Sequence, residues 1–210
     1  MVGGCEPPAA GCQLRLSTSN DQVFMGKLVV ISGPSGVGKS TLCRRLAELD
    51  PCIRISVSAT TRPPRRNEEN GRDYYFIIRD EFERKIRNGE FVEYAEYAGN
   101  LYGTLKSEVK PGIAGSETVV MDIDVQGGEQ VVRQYPDALT IFVEPPDFDE
   151  LLRRLNSRGT DPPEVRRRRI EIARREMERR WEYKHRVVND DLEEAVREIH
   201  DLIAGARPNG

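Results

Sequence analysis

The sequence predicts an α/β protein: a three-layer core on a parallel sheet, a small mixed α/β subdomain inserted into it, and a small helical lid. Three observations carry that prediction. Short β-branched runs alternate with stretches of helical spacing, the pattern of a parallel sheet covered on both faces. A glycine-rich loop joins the first of those strands to the first helix. The alternation then breaks twice, once into aromatic strand-like runs and once into arginine-rich helices.

Residues 1–24 are rich in Gly, Pro, Ser and small polar residues, too poor in apolar area to offset the cost of ordering, and are expected to form a flexible extension. Met25 directly precedes the first strand and is a second candidate start residue. "KLVVIS" is a buried-strand run, and "STLCRRLAEL" places Leu42, Leu46 and Leu49 at helical spacing. Further strand candidates are "IRISVS", "TVVMDI", "LTIFV" and "RVVN", and a last helix from Asp191 carries Leu192, Val196, Ile199 and Ile203 on one face. The first break, about residues 57–107, contains "DYYFII", "EFVEYAEY" and a short helix after Asp80, where Asp80 and Glu83 have capping-box spacing. The second, about residues 149–174, is introduced by "EPPD" and interrupted by "RGTDPPE", whose prolines separate two helices. One domain over residues 25–206 results, its core assembled from about 25–56, 108–148 and 175–206, with 207–210 as a tail.

A chain of 210 residues accommodates one compact domain with subdomains. Its formal charge of -3 hides an uneven distribution: residues 151–180 contain eleven Arg against five Asp or Glu, with four Arg consecutive at Arg166 to Arg169. Such a run is most often a solvated helix face. A net acidic chain without aromatic residues among its arginines argues against nucleic-acid binding. The cysteines, Cys5, Cys12, Cys43 and Cys52, have no metal-ligand spacing and fit a reducing compartment. The first residues lack the basic and apolar regions of a signal peptide, and no run approaches a membrane span. A cytoplasmic protein with no membrane partner is expected.

Residues 33–40 read "GPSGVGKS" and match G-x-x-x-x-G-K-[ST] at Gly33, Gly38, Lys39 and Ser40. Glycines let consecutive backbone N–H groups turn toward phosphate oxygens, and the following helix offers its positive end. Lys39 reaches the β and γ phosphates, and the Ser40 hydroxyl can sit on Mg²⁺. Pro34, Ser35, Gly36, Val37 and Thr41 complete the binding segment. With a strand before it and a helix after it, the segment reads as a nucleoside triphosphate site rather than a chance glycine turn. "DVQG" at Asp124 to Gly127 has the spacing of a GTPase switch, but no N-K-x-D guanine-reading motif occurs in the chain.

The loop alone leaves an ATPase, a kinase and an inactive binding module open. "SATTRPPRRNEENGRDYYF" (58–76), "EYAEYAGNLYGT" (93–104) and "DIDVQG" (122–127) follow it in an order and approximate spacing that resemble the guanylate kinase family. The resemblance covers nearly everything from Lys27 to about Ile203. It implies that ATP, with Mg²⁺, donates its γ-phosphoryl group to GMP bound in the inserted subdomain, giving ADP and GDP. It implies Arg62, Arg65, Tyr74 and Tyr102 on the acceptor phosphate, and forked cations with phenols suit a dianion. It implies Glu93 and Asp124 with the hydroxyls of Ser58 and Thr104 on guanine, whose N1–H and 2-amino donors want carboxylates. Many members have Ser where this chain has Thr104.

Asp122, at the end of "TVVM", stands where an acid contacts magnesium through water; its alternative is strand-end capping. Asn189, in "VNDD", resembles the stretch near the adenine of ATP, although Asn also caps helices well. Arg154, Arg158 and Arg169 match lid arginines that close over the donor phosphates, and Arg153, Arg166, Arg167 and Arg168 have no such match. Because the acceptor phosphate oxygen is already anionic, the transfer asks for alignment and charge stabilisation and for no general base. Deoxy-GMP fits as a second acceptor, since no matched motif needs the 2′-hydroxyl. The rival reading is a guanylate-kinase-like scaffold that binds protein partners; such modules typically have a damaged loop or lid, and here both are intact.

Overall fold

The computed structural model of the protein describes residues 26–97, 99–115, 117–157 and 163–205. The extension at 1–24, Met25, Arg158 and the tail at 207–210 lie outside the described residues. In chain order the elements are β1 (Lys27–Ser32), α1 (Lys39–Leu49), β2 (Ile53–Ile55), β3 (Ser58–Thr60), β4 (Tyr75–Phe76), α2 (Arg79–Arg87), β5 (Phe91–Tyr97), β6 (Asn100–Leu105), α3 (Lys106–Ala114), β7 (Thr118–Asp122), α4 (Val125–Gln134), β8 (Leu139–Glu144), α5 (Phe148–Ser157), α6 (Pro163–Glu178), a 3-10 turn (Arg179–Glu182), β9 (His185–Val188) and α7 (Leu192–Gly205).

Five strands form one parallel sheet in the order β2-β7-β1-β8-β9. The period of two in β1 sends its residues to both faces. Val29 and Ile31 join Val120, Ile141, Leu42, Leu46, Leu151, Ile199 and Ile203 in one core, covered by α1, α5 and α7. Leu28 and Val30 join Val119, Met121, Val109 and Val131 in the other, covered by α3 and α4. Each fully buried Ile or Leu of this kind contributes about 1.5–3 kcal/mol. The three layers predicted from alternating elements are therefore present.

The predicted run "IRISVS" divides. Ile53–Ile55 stays in the parallel sheet, the Ser56 N–H donates to Val120 O at 2.9 Å, and the chain then leaves to begin a second sheet at Ser58. That sheet has four strands in the order β4-β3-β6-β5, with β3 and β5 both antiparallel to β6. Only Tyr75–Phe76 of "DYYFII" pairs as a strand. The subdomain has its own small core of Ala59, Phe82, Phe91 and Leu101, with the rings of Phe82 and Phe91 stacked at 4.4 Å. The capping box expected at Asp80 is not formed: α2 starts at Arg79 with Ile78 as N-cap and no side-chain cap. Asp80 and Glu81 instead lie in its first turn, where negative charge meets the positive end of the helix. Leu49, expected on the buried face of α1 with Leu42 and Leu46, sits in the last residue of the helix and is 52% exposed.

This topology gathers the motifs. In a parallel sheet the loops at the carboxyl ends of the strands share one edge, and ligands bind there. Residues 33–38 follow β1, Asp122 ends β7 and Asp124 follows it, α5 follows β8, Asn189 follows β9, and the inserted subdomain follows β2.

Candidate active site

The chain turns out of β1 at Gly33, Gly36 and Gly38, whose φ angles of 146°, 90° and 103° lie in the region that favours glycine. A side chain at Gly38 would also meet Asn189 Nδ2 at 2.6 Å. Helix α1 then begins at Lys39 with no side-chain cap and no acid in its first turn. Its unpaired N–H groups and positive end are left for an anion. Lys39 Nζ donates to Gly33 O at 2.7 Å, and Ser40 Oγ donates to Asp122 Oδ2 at 2.6 Å, which joins the first turn of α1 to the end of β7.

The loop is braced from two sides at Val37. Asn189, buried at the end of β9, donates Nδ2 to Val37 O at 2.7 Å. It does not cap the helix it precedes: Asp191 does, accepting the Glu194 N–H at 2.9 Å. Arg154 donates Nη1 to Val37 O at 3.3 Å and to Asn189 O at 3.1 Å, and Nε to Glu150 at 2.7 Å. The side chains expected on adenine and on the donor phosphates thus both hold loop backbone. From α6, Arg169 Nη2 donates to Ser35 Oγ at 3.3 Å, which lays this helix on the loop. Two turns along the same helix, Glu176 accepts the Ser35 N–H at 3.2 Å. Sequence reading missed Glu176, an ordinary acid within an arginine-rich helix with no motif to mark it. A cavity of about 410 Å³ opens between α6, α4 and the end of β5, lined among others by Tyr97, Gln126, Arg175, Glu176 and Arg179.

On the acceptor side, strand register builds a row. Ser58 on β3 and Glu93 on β5 both pair with Thr104 on β6, the strand between them. The Ser58 and Thr104 hydroxyls are 3.3 Å apart. Glu93 is only 4% exposed, and burial first, then the charge of Asp124, pushes its carboxyl up to about 7 against the pull of Thr104. Asp124 is the N-cap of α4, its Oδ1 accepting the Gly127 N–H at 2.8 Å. A Cβ on Gly127 would lie 2.6 Å from Glu93 Oε2. The spacing of "DVQG" therefore reflects a cap followed by a gap for a carboxylate, which accounts for it without a GTPase switch. Gly127→Ala should displace Glu93 and lower kcat/KM for GMP about tenfold, with ATP affinity within twofold of wild type; calorimetry with ATP beside steady-state kinetics checks both halves.

Of the four residues expected on the acceptor phosphate, Arg62, Tyr74 and Tyr102 lie together, and Arg62 holds an anion from the protein itself. Arg62 lies over the Tyr74 ring at 5.5 Å, and the Tyr74 and Tyr102 rings are 6.1 Å apart. Both Arg62 terminal nitrogens donate to Glu68, each at 2.9 Å, and the Arg65 N–H donates to Glu68 at 2.6 Å. The Arg65 side chain is exposed. Burial pushes the Tyr74 hydroxyl up to about 12, so it remains a donor at neutral pH. Glu68 is the second residue sequence reading missed; its position six residues after Arg62 in a proline-flanked turn was the available signal.

A phosphate loop on a parallel sheet, a second anion cradle on an inserted subdomain and an arginine helix laid on the loop define a P-loop nucleotide kinase. A family model described as guanylate kinase matches residues 25–206. The chain belongs to the guanylate kinase family. It is 46% identical over 187 residues to guanylate kinase from Rubrobacter xylanophilus, covering 87% of this chain and 98% of that protein. It is 43% identical over 189 residues to guanylate kinase from Nostoc sp., covering 90% and 95%. The crystal structure of guanylate kinase from Anaplasma phagocytophilum superimposes with a TM-score of 0.75 at 32% identity, covering 89% of this chain and 88% of that one.

Proposed function

We infer that the two cradles are the donor and acceptor sites of one phosphotransferase: the protein transfers the γ-phosphoryl group of ATP to GMP, giving ADP and GDP, in nucleotide metabolism. The observation that carries this reading is the end of β7. Asp122 is bonded to Ser40 of the donor loop, and two residues on Asp124 caps α4 beside Glu93 of the acceptor row.

On the donor side the open N-terminus of α1, the glycine loop and Lys39 hold the phosphates. Among the described residues no cluster of three or more His, Cys, Asp or Glu forms a metal cage. The Ser40 hydroxyl and Asp122 carboxylate are hard oxygens beside the loop, the kind of small protein set Mg²⁺ takes when nucleotide phosphates supply further ligands. When bound, Mg²⁺ would offset negative charge on the β and γ phosphates. On the acceptor side Ser58, Glu93, Thr104 and Asp124 read guanine, and Arg62, Arg65, Tyr74 and Tyr102 take the phosphate once Glu68 yields its contacts. Deoxy-GMP is a second acceptor. Residues 57–107 act as the GMP-binding subdomain and about 149–174 as the lid. No described helix is long and apolar enough to cross a membrane. We place the protein in the cytoplasm, with small nucleotides and neither nucleic acid nor membrane as partners.

The test is an ADP-release assay with GMP, dGMP, AMP, CMP and UMP as acceptors. ADP formed with no acceptor, at the rate seen with GMP, would make the protein an ATPase. Within the lid, Arg169→Ala should lower kcat on the order of 10- to 100-fold with little change in KM for GMP, the mark of a contact made in the transition state. The exposed Arg167 serves as control, and Arg167→Ala should stay within twofold of wild type. Equal large losses in both would mean the arginine run is divided wrongly.

A further inference from the structure

Helix α6 turns one face to the body of the protein. Ala173 is fully buried, Glu176 is 6% exposed, and Arg169 and Ile170 are half-buried, while Arg167, Arg168, Arg174 and Arg175 are exposed. A carboxylate at that depth is expensive to desolvate, and packing alone would be served by an apolar side chain of similar size. The transfer reaction as described gives Glu176 no part. What it touches is the loop: the Ser35 N–H at 3.2 Å, while Arg169 on the same helix reaches Ser35 Oγ at 3.3 Å. Seven residues separate Arg169 from Glu176, about 10 Å along the helix axis, so two points of one helix face converge on one loop residue. A helix held only at Ala173 could slide or rotate on the loop; a helix holding Ser35 by both backbone and side chain has its register fixed.

We propose that Glu176 is a positioning residue: by accepting the Ser35 N–H it docks the arginine helix on the phosphate loop and so sets where Arg169 meets the donor phosphates. The inference rests on residues 33–40 being the donor site. The charges around Glu176 fit the role. Lys39 on α1 offsets its charge, Asp124 at the head of α4 opposes it, and burial above all pushes the carboxyl up to about 7. Near neutral pH both of its forms retain an oxygen that accepts the Ser35 N–H.

The experiment uses Glu176→Leu, which keeps the buried volume without an acceptor, and Glu176→Gln, which keeps an amide oxygen in place. Glu176→Leu is expected to melt at or above the wild-type temperature yet lose kcat roughly five- to tenfold, with KM for GMP within twofold. Glu176→Gln should recover at least about a third of wild-type kcat, because it still accepts the hydrogen bond. Since Glu176 acts through Arg169, the double variant Glu176→Leu/Arg169→Ala should be no more than about twofold slower than Arg169→Ala alone. Wild-type kcat in the Leu variant, a Gln variant as slow as Leu, or single losses that multiply in the double variant would each overturn the proposal. Failure of the donor-site reading would look different: Arg169→Ala itself would turn over like wild type.

Discussion

Lys39→Ala is expected to lower turnover with GMP on the order of 10²–10³-fold while leaving the fold in place, the scale seen when one preorganised donor is removed from developing charge. In the structure Lys39 Nζ rests on Gly33 O at 2.7 Å, inside the loop that would surround the phosphates. If residues 33–40 hold the donor phosphates, the negative charge that builds between the β and γ phosphates as the γ-phosphoryl group moves is met by this ammonium group. The loss should therefore fall on kcat more than on ATP affinity, because the N–H groups of the loop and the open end of α1 still bind the ground state. The fold should persist because the substitution removes two part-buried hydrogen bonds, to Gly33 O at 2.7 Å and Pro34 O at 3.5 Å, each worth about 0.5–1.5 kcal/mol, and not core. Single-turnover rates, ATP calorimetry and circular dichroism separate these outcomes. An alanine variant with wild-type turnover would move the donor site away from residues 33–40.

The fold was legible where one physical rule dominates a stretch. A buried parallel strand must be apolar on both faces, and "KLVVIS", "TVVMDI" and "LTIFV" are; all three lie in the central sheet. Legibility failed where tertiary context decides. "IRISVS" has a uniform period, yet its two halves join different sheets because the chain leaves the core after Ser56. Asp80 has the spacing of a cap and is not one, since α2 begins two residues earlier than that spacing requires, with Ile78 as N-cap. In the site, the loop and the separate residues Ser58, Glu93, Thr104 and Asp124 were legible because each sits in a motif. Asp122 was legible only as an acid with two readings, and its bond to Ser40 and the row across β3, β6 and β5 appear only in the structure. Glu68 and Glu176 were not legible. Both are acids with no motif to mark them: Glu68 pairs with Arg62, a cation that a phosphate would also satisfy, while Glu176 holds the Ser35 N–H across 141 residues of chain. Asn189 and Arg154 were found by motif, but their contacts with Val37 follow from the approach of β9 and α5 to the loop, which no local spacing encodes.

The acceptor base should be selected with a GMP over AMP preference in kcat/KM on the order of 10⁴ or more. Glu93 is buried, and its place beside Gly127 and Thr104 leaves little room for an alternative rotamer. Adenine offers an acceptor at N1 and nothing at C2, so AMP would leave this carboxylate unpaired, a loss far larger than a misfit in an apolar pocket causes. Glu93→Gln keeps the size, removes the charge and can turn a donor toward the guanine edge; the expected cost with GMP is about 1.5–3 kcal/mol, the scale of a hydrogen bond to a charged group. The raised carboxyl adds a pH signature. Guanine donors need the ionised form, so at saturating ATP the wild-type kcat/KM for GMP should fall as pH drops through about 7, and that component should vanish in Glu93→Gln. Stability runs the other way. A folded-state carboxyl raised to about 7 from its ordinary 4.5 gives stability that is full below 4.5 and lost as pH rises to about 7. Ligand-free Glu93→Gln should thus melt above wild type at pH 8, with the gap closing toward pH 5. Kinetics with GMP and AMP, ATP affinity and melting curves at the two pH values test the set together. If wild type uses AMP as well as GMP, or if Glu93→Gln weakens ATP and leaves GMP untouched, guanine is read elsewhere and the row on β3, β6 and β5 is structural.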